Sequence, residues 1–334
     1  MRGQILWYRD TGEILMLDPG ALPDYAFFVT WRTVMIMKTT IAMIVGTILL
    51  LWGCDSETNE DYSSPNIGKL KYVPAGTFQR DTDPANLSTV SAFRMSEFEI
   101  TRAQWYAVTG WADPSDTDFS GGTSDPVQSV NRYHAIAFCN KLSLLEGLTP
   151  VYTVSGVDFG VLTFEQVPTV REVKWDVATA DWEADGYRLP TEMEWMWAAM
   201  DADTADPGAV NRTGFTKAFA GSNGSNLLGD YAVFGYNTAE TGRTTTAMTN
   251  QVGSKHPNKL GLYDLSGNVS EWTWDWYGAY PVGPVTDYWG RSGQSPVVRG
   301  GAWHTPSHYC SPAYRDTHYT YGSVSGIGFR VVRR

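Results

Sequence analysis

The chain has 334 residues, with 25 Lys and Arg against 36 Asp and Glu (formal net charge -11), 14 Trp, 18 Tyr, 33 Gly and three Cys. At 18% charged and 43% hydrophobic residues it is neither disordered nor fibrous, and its length allows one large domain or two small ones with a sizeable core. The acidic balance argues against a nucleic-acid partner and a polybasic membrane patch, and three cysteines without a CxxC pair exclude a disulfide framework and a structural zinc site.

Residues Met37 to Cys54 place a Lys directly after a Met, then an apolar run from Ile41 to Trp52, then Gly53-Cys54. That is the layout of a secretory signal, and a Cys directly after Gly resembles a bacterial lipobox. The apolar run is too short for a comfortable membrane span. The expectation is cleavage before Cys54 and thioether lipidation of Cys54, so that lipid alone ties the chain to a membrane. A signal peptide at 37–53 leaves residues 1–36 without a place, and they read as an over-extended start, with translation beginning at Met37. Residues 54–70, polar from Asp55 to Pro65, read as a flexible tether, and 71–334 as one domain.

Within that domain Phe93 to Ile100 alternates as a strand, and Thr101 can cap a helix through Trp105 and Val108. Asn131 to Gly147 carries Ile136, Ala137, Leu142, Leu144 and Leu145 on an amphipathic helix. Val151–Val154, Val157–Phe164 and Glu172–Val177 are β-rich runs separated by turn residues and read as hairpins. Thr191-Glu192-Met193-Glu194 is a capping box opening a third helix, with Trp195, Ala198 and Ala199 facing inward. Beyond Asp201 periodicity fades, so irregular backbone around aromatic anchors is expected. Trp272, Trp274, Trp276 and Trp303 read as core aromatics whose indole N–H groups bond backbone.

Four stretches occur in a telling order: Gly186-Tyr187-Arg188-Leu189-Pro190-Thr191-Glu192, Asn258 through Trp272 (NKLGLYDLSGNVSEW), Arg299-Gly300-Gly301-Ala302-Trp303, and Gly326-Ile327-Gly328-Phe329-Arg330. Together they resemble the formylglycine-generating-enzyme type of C-type lectin-like domain across Tyr72 to Arg334. The resemblance implies an α+β fold with much irregular structure, two or more helices and a small twisted sheet. Members of that family include sulfatase-activating oxidases, sulfoxide synthases and non-enzymatic binding proteins. It further implies a structural calcium ion held by the Asp264 and Glu271 side chains and the Gly267 and Val269 carbonyls, an oxygen-rich set suited to that hard cation. The alternative is a metal-free turn in which Glu271 accepts backbone amides. Arg330, beside Phe329, reads as a buried ion-pair or carbonyl partner.

The oxidases of that family hold copper between two cysteines five residues apart. Here Cys310 stands at the second position and Thr305 at the first, and a hydroxyl does not replace a thiolate on Cu(I). Cys139 reads as a small buried hydrophobe. The sulfoxide synthases use three His, largely from an added helical domain for which this chain has no room. His134 and His256 read as surface or satisfied core residues. His304 and His308 are separated by Pro306, which works against a shared helical face, and His318 lies further along. No catalytic cofactor is expected. The alternative is a divergent metal-dependent oxidase or sulfoxide synthase using Cys310 with His304 or His308.

From His304 to Ser325 the sequence is HTPSHYCSPAYRDTHYTYGSVS. It is rich in Tyr, His, Ser and Thr and holds no Lys, Glu, Gln, Met or Trp, the five amino acids whose codons never end in a pyrimidine. The segment is similar to the variable region of proteins rewritten by diversity-generating retroelements, a family that includes lipid-anchored surface proteins of spirochaetes. That resemblance places the variable region at about 299–330 and implies a fixed frame of Trp303, Ser307, Cys310, Ala313 and Arg315. The diversified, solvent-facing candidates are His304, Thr305, Pro306, His308, Tyr309, Tyr314, Asp316, His318, Tyr319, Tyr321, Ser323 and Ser325. Tyr offers large contact area at low entropy cost, and Ser, Thr and Asp offer adaptable hydrogen bonds, as in paratopes. The combined expectation is a monomeric lipoprotein of the outer membrane, exposed at the cell surface. Its ligand would be a protein or glycan that changes with the sequence variant, met by a flat Tyr-rich patch rather than a deep cleft.

Overall fold

The computed structural model describes residues 59–203 and 209–334, together with the backbone of three short N-terminal strands. Those strands, Leu6–Trp7, Ile14–Leu15 and Phe28–Val29, form an antiparallel sheet within a separate unit, Met1–Thr58. The signal segment 37–53 and Cys54 lie outside the described residues.

The second unit runs from Asn59 to Arg334. Its start corrects the expected boundary at 71. Tyr62–Ser64 is already a strand, paired antiparallel with Gly68–Val73, and the Ser64 hydroxyl donates to Glu146 at 2.6 Å. The latter part of the expected tether is therefore integral to the fold.

Three four-stranded sheets organise this unit. In the first, Val332–Arg333, Phe93–Ser96, Gly68–Val73 and Tyr62–Ser64 lie side by side, all antiparallel, so Val332–Arg333 joins the sheet at the edge opposite Tyr62–Ser64. The second sheet has the antiparallel pair Gly76–Gln79 and Leu87–Val90 at its centre, with Val210–Asn211 and Val285–Thr286 added parallel on either side. The third holds Asp316–Thr317, Pro296–Arg299, Ser270–Trp276 and Ile327–Gly328, with Glu271 opposite Arg299 and a bulge between Trp272 and Trp276.

The helices after Thr101 and Thr191 follow the expected caps, and Asn131 supplies a third. Thr101 accepts from the Gln104 amide and Gln104 reaches back, opening Arg102–Thr109 over the buried Trp105 and Val108. Asn131 caps Arg132–Leu145 through His134 in the same way, but Leu144 and Leu145 lie exposed on its last turn rather than in the core. Thr191 and Glu194 form the reciprocal box of Glu192–Ala199, and all eight helical residues are buried, not one face alone. This helix is covered on every side because Trp197 stacks on Phe78 with ring centres 5.6 Å apart, while Trp195 points to Glu271. Gly76 is required where the chain passes Trp197, since a Cβ there would lie 2.1 Å from the ring.

The expected hairpins between 148 and 185 are only partly present. Tyr152–Thr153 pairs with Thr179–Ala180, but Val157–Phe164 is turn and loop, and Glu172–Val177 contains the helical turn Val173–Asp176. Phe159, Leu162 and Trp175 enter the core from this irregular stretch, so side-chain anchoring takes the place of strand pairing. Trp272 donates its indole N–H to the Val130 carbonyl at 3.0 Å and Trp303 to that of Ser325 at 3.1 Å. The Trp274 indole nitrogen, by contrast, is buried without a partner.

Candidate functional site

The segment 304–325 leaves the third sheet and returns to it, and residues outside the segment hold it largely by its main-chain oxygens. Arg299, buried, donates to the Pro312 carbonyl at 2.9 Å and to that of Tyr314. The Ser266 hydroxyl donates to the Cys310 carbonyl at 2.8 Å, and the backbone N–H groups of Arg132, Gly235 and Ser129 donate to the carbonyls of Thr320, Thr305 and Val324. Charge-assisted bonds from a buried guanidinium are the strong members of this set.

The expected frame residues fall into two groups. Trp303 is buried and stacks on Phe119 with ring centres 5.4 Å apart, and Cys310 is buried beside Phe219, Ala232 and Phe234. Ser307 is bonded through both its hydroxyl and its amide to Glu240 at 2.9 Å. Arg315 grips both carboxylate oxygens of Glu192, at 2.7 and 2.8 Å, and lies over the rings of Tyr277 and Tyr280. Ala313, by contrast, is exposed.

None of the twelve expected solvent-facing positions is fully buried. His308, Tyr309 and Tyr314 cluster, with the two tyrosine ring centres 4.3 Å apart. Pro306 precedes the short helical turn Ser307–Cys310. Asp316 sits in an edge strand opposite Val298, Tyr319 and Ser323 are exposed, and Tyr321 and Ser325 are half-buried. Thr305 is a correction: its hydroxyl folds back onto the Ala302 amide at 2.8 Å and carbonyl at 3.0 Å rather than facing solvent. His304 packs edge-on against Trp303 at 4.7 Å.

His304, His308 and His318 do not converge, and among the described residues no group of three or more His, Cys, Asp and Glu side chains is placed to hold a metal ion. Burial pushes the Cys310 thiol up to about 12, far from a thiolate. His134 is a core residue whose Nδ1 accepts the Asn131 amide, with burial pushing its pKa down to about 4.

Around the implied calcium set, Asp264 and Asn268 adopt left-handed backbone conformations at φ 57° and 60°, either side of Gly267 at φ 81°. Glu271 is fully buried and already engaged: Arg330 Nε lies 2.8 Å from both carboxylate oxygens, and the Trp195 indole donates at 2.7 Å. This is the ion pair expected of Arg330. Asp264 accepts the Gly253 amide through one oxygen, while the other is buried without a partner. Burial raises the Asp264 pKa to about 6. Asp264 therefore fits a cation, and Glu271 fits one only by sharing its oxygens with Arg330.

Beside the C-terminal segment lies a cleft of about 580 Å³, so the face is indented rather than flat. Thr317 to Tyr321 form one wall, and Arg171, Asp176, Trp276 and Gln294 contribute the others. Trp276, expected in the core, is half-buried at this cleft. These four residues come from three separated stretches, and nothing in their local sequence joins them.

Residues 56–334 match the model of the sulfatase-modifying factor enzyme 1-like domain. The chain is similar to the chaperone protein LppX of Paenibacillus barcinonensis, 30% identical over 89% of this chain and 99% of that one. It is 29% identical to the formylglycine-generating enzyme of Mus musculus over 79% of this chain and 74% of that one. Among solved structures it is similar to Treponema denticola variable protein 1, with a TM-score of 0.70 and 34% identity over 82% of this chain and 98% of that one. Relatives named as enzymes thus stand beside others that are not. From residue 56 to its end, the chain belongs to the sulfatase-modifying factor enzyme 1-like family.

Proposed function

We propose that the domain is a non-catalytic ligand-binding protein whose C-terminal face, within about 299–330, is diversified by a retroelement and displayed at the outer cell surface by a lipid on Cys54. The observation that carries this reading is the grip on main-chain oxygens. Side chains at the candidate variable positions between His304 and Ser325 can change while Arg299, Ser266 and Trp303 keep their acceptors, because a carbonyl is common to every residue. Likeness to a protein named as variable supports it, and so does likeness to one named as a chaperone, a role that also consists in binding. Thr305 stands where the oxidases have their first cysteine, so Cys310 has no thiol partner there for their copper chemistry.

The calcium ion at Asp264, Gly267, Val269 and Glu271 belongs to the proposal as a structural ion. It would supply a charge to the unpartnered Asp264 oxygen and take no part in binding chemistry.

The gene's surroundings test diversification. A near-identical non-coding copy of codons 299–330, carrying adenines where the gene differs and lying beside a reverse-transcriptase gene, is expected. Absence of such a copy removes the diversification. Display of variants differing only within 304–325 tests binding: different variants are expected to select different ligands.

A further inference from the structure

We infer that the cleft beside Trp276 is a saccharide subsite that takes a short stretch of a neutral oligosaccharide. The inference rests on the binding role proposed for the C-terminal face and names the ligand class that this part of it takes.

The size suits such a ligand: about 580 Å³ lies inside the roughly 300–1,000 Å³ range of small-ligand clefts. The walls suit it too. The Trp276 indole is steadied by the Arg132 guanidinium 5.5 Å from its ring centre, and Tyr319 and Tyr321 stand nearly parallel, 5.7 Å apart at 16°. Flat rings of this kind cover the C–H face of a pyranose by dispersion.

The lining of the cleft also holds hydrogen-bonding groups that the fold has not used. The Gln294 amide, the Ser295 hydroxyl and the phenolic hydroxyls of Tyr319 and Tyr321 make no side-chain hydrogen bond among the described residues. Together they offer both donors and acceptors. A sugar hydroxyl both donates and accepts, so adjacent hydroxyls meet this mixture, whereas an apolar peptide side chain would desolvate it without return.

Charge decides between neutral and acidic sugars. Arg171 in the lining is paired through its Nε with Asp176 at 2.9 Å, and the chain carries a net charge of -11. An anionic sugar would meet a compensated cation within an acidic protein.

The cleft is also divided by origin. Arg171, Asp176, Trp276 and Gln294 lie outside 299–330, while Thr317 to Tyr321 lie inside it. A fixed ring and a fixed amide would set the class of ligand, and the segment's side chains would choose among its members.

The test is a printed array of neutral, sialylated and sulfated di- to tetrasaccharides probed with the purified chain, followed by calorimetric titration of the bound sugars. Trp276→Ala and Gln294→Ala are measured alongside, with thermal melts. Neutral saccharides are expected to bind, Trp276→Ala to weaken them roughly tenfold, and the exposed Gln294→Ala about threefold to tenfold with an unchanged melt. A blank array, a preference for sulfated or sialylated sugars, or binding indifferent to both substitutions would overturn the inference. A blank array combined with protein ligands selected by displayed variants would overturn the saccharide alone and leave the binding face standing.

Discussion

Arg315 and Glu192 form a two-point ion pair between the C-terminal segment and the first turn of a wholly buried helix. Arg299 approaches the same carboxylate to 3.3 Å, so one acid serves two guanidiniums. Replacing Glu192 by Gln leaves Arg299, which is fully buried, without its counter-charge. A loss of about 3–5 kcal/mol is expected in chemical denaturation, with Arg315→Lys costing less because one of its two bonds survives.

Frame and surface positions are expected to separate cleanly. Trp303→Ala should cost about 3–5 kcal/mol, because it removes a buried indole stacked on Phe119. His308→Ser and Tyr319→Ser, at exposed positions, should stay within about 0.5 kcal/mol. Urea midpoints for the three variants check this, and equal losses at all three would deny the segment its tolerance.

The His134 imidazole supplies an acid-sensitive component of stability. Its folded pKa, about 4, lies below the ordinary value of 6.5, because burial disfavours the imidazolium. The unfolded chain therefore binds the proton more readily between those values. The contribution is fully present above pH 6.5 and is lost as the pH falls toward 4, by about 3 kcal/mol. His134→Phe, which keeps the stack on Phe164, should flatten the difference between melts at pH 7 and pH 4.5.

Calcium should raise the melting temperature of the chelator-treated protein, and Asp264→Asn should abolish that rise, since Asp264 carries the unpartnered oxygen. Melts that are identical with calcium and with chelator would remove the ion from the proposal.

Cys139 and Cys310 are both buried, and burial raises both thiols. Neither should react with a thiol reagent in the native protein, and both should react in denaturant. Fast native labelling of Cys310 would reopen the oxidase alternative.

The helices could be read from the sequence because their signals are local: Thr101 with Gln104 and Thr191 with Glu194 each complete a box within four residues. The strand Ser270–Trp276 could not, because burial of nearly every residue erases the alternation that marks a half-exposed strand. Val157–Phe164 misled in the opposite direction, since its Val and Phe content suits a strand while Phe159 and Leu162 serve as loop anchors. The C-terminal segment stood out through its skewed composition, but the grip on its carbonyls by Arg132, Gly235 and Ser266 depends on neighbours far along the chain. The cleft was hidden for the same reason: Arg171, Trp276 and Gln294 meet only in three dimensions.

A grip on main-chain oxygens ignores the identity of a residue but not its place in the count. One residue inserted between Trp303 and Cys310 would shift the oxygens of Cys310, Pro312, Tyr314 and Thr320 away from their donors and move Asp316–Thr317 out of register with Val297 and Val298. Pro312 shows that proline can fill a gripped position whose own N–H is not used, since it keeps its carbonyl. Diversification as proposed above would therefore proceed by substitution at constant length, without the loop-length changes by which other binding surfaces adapt.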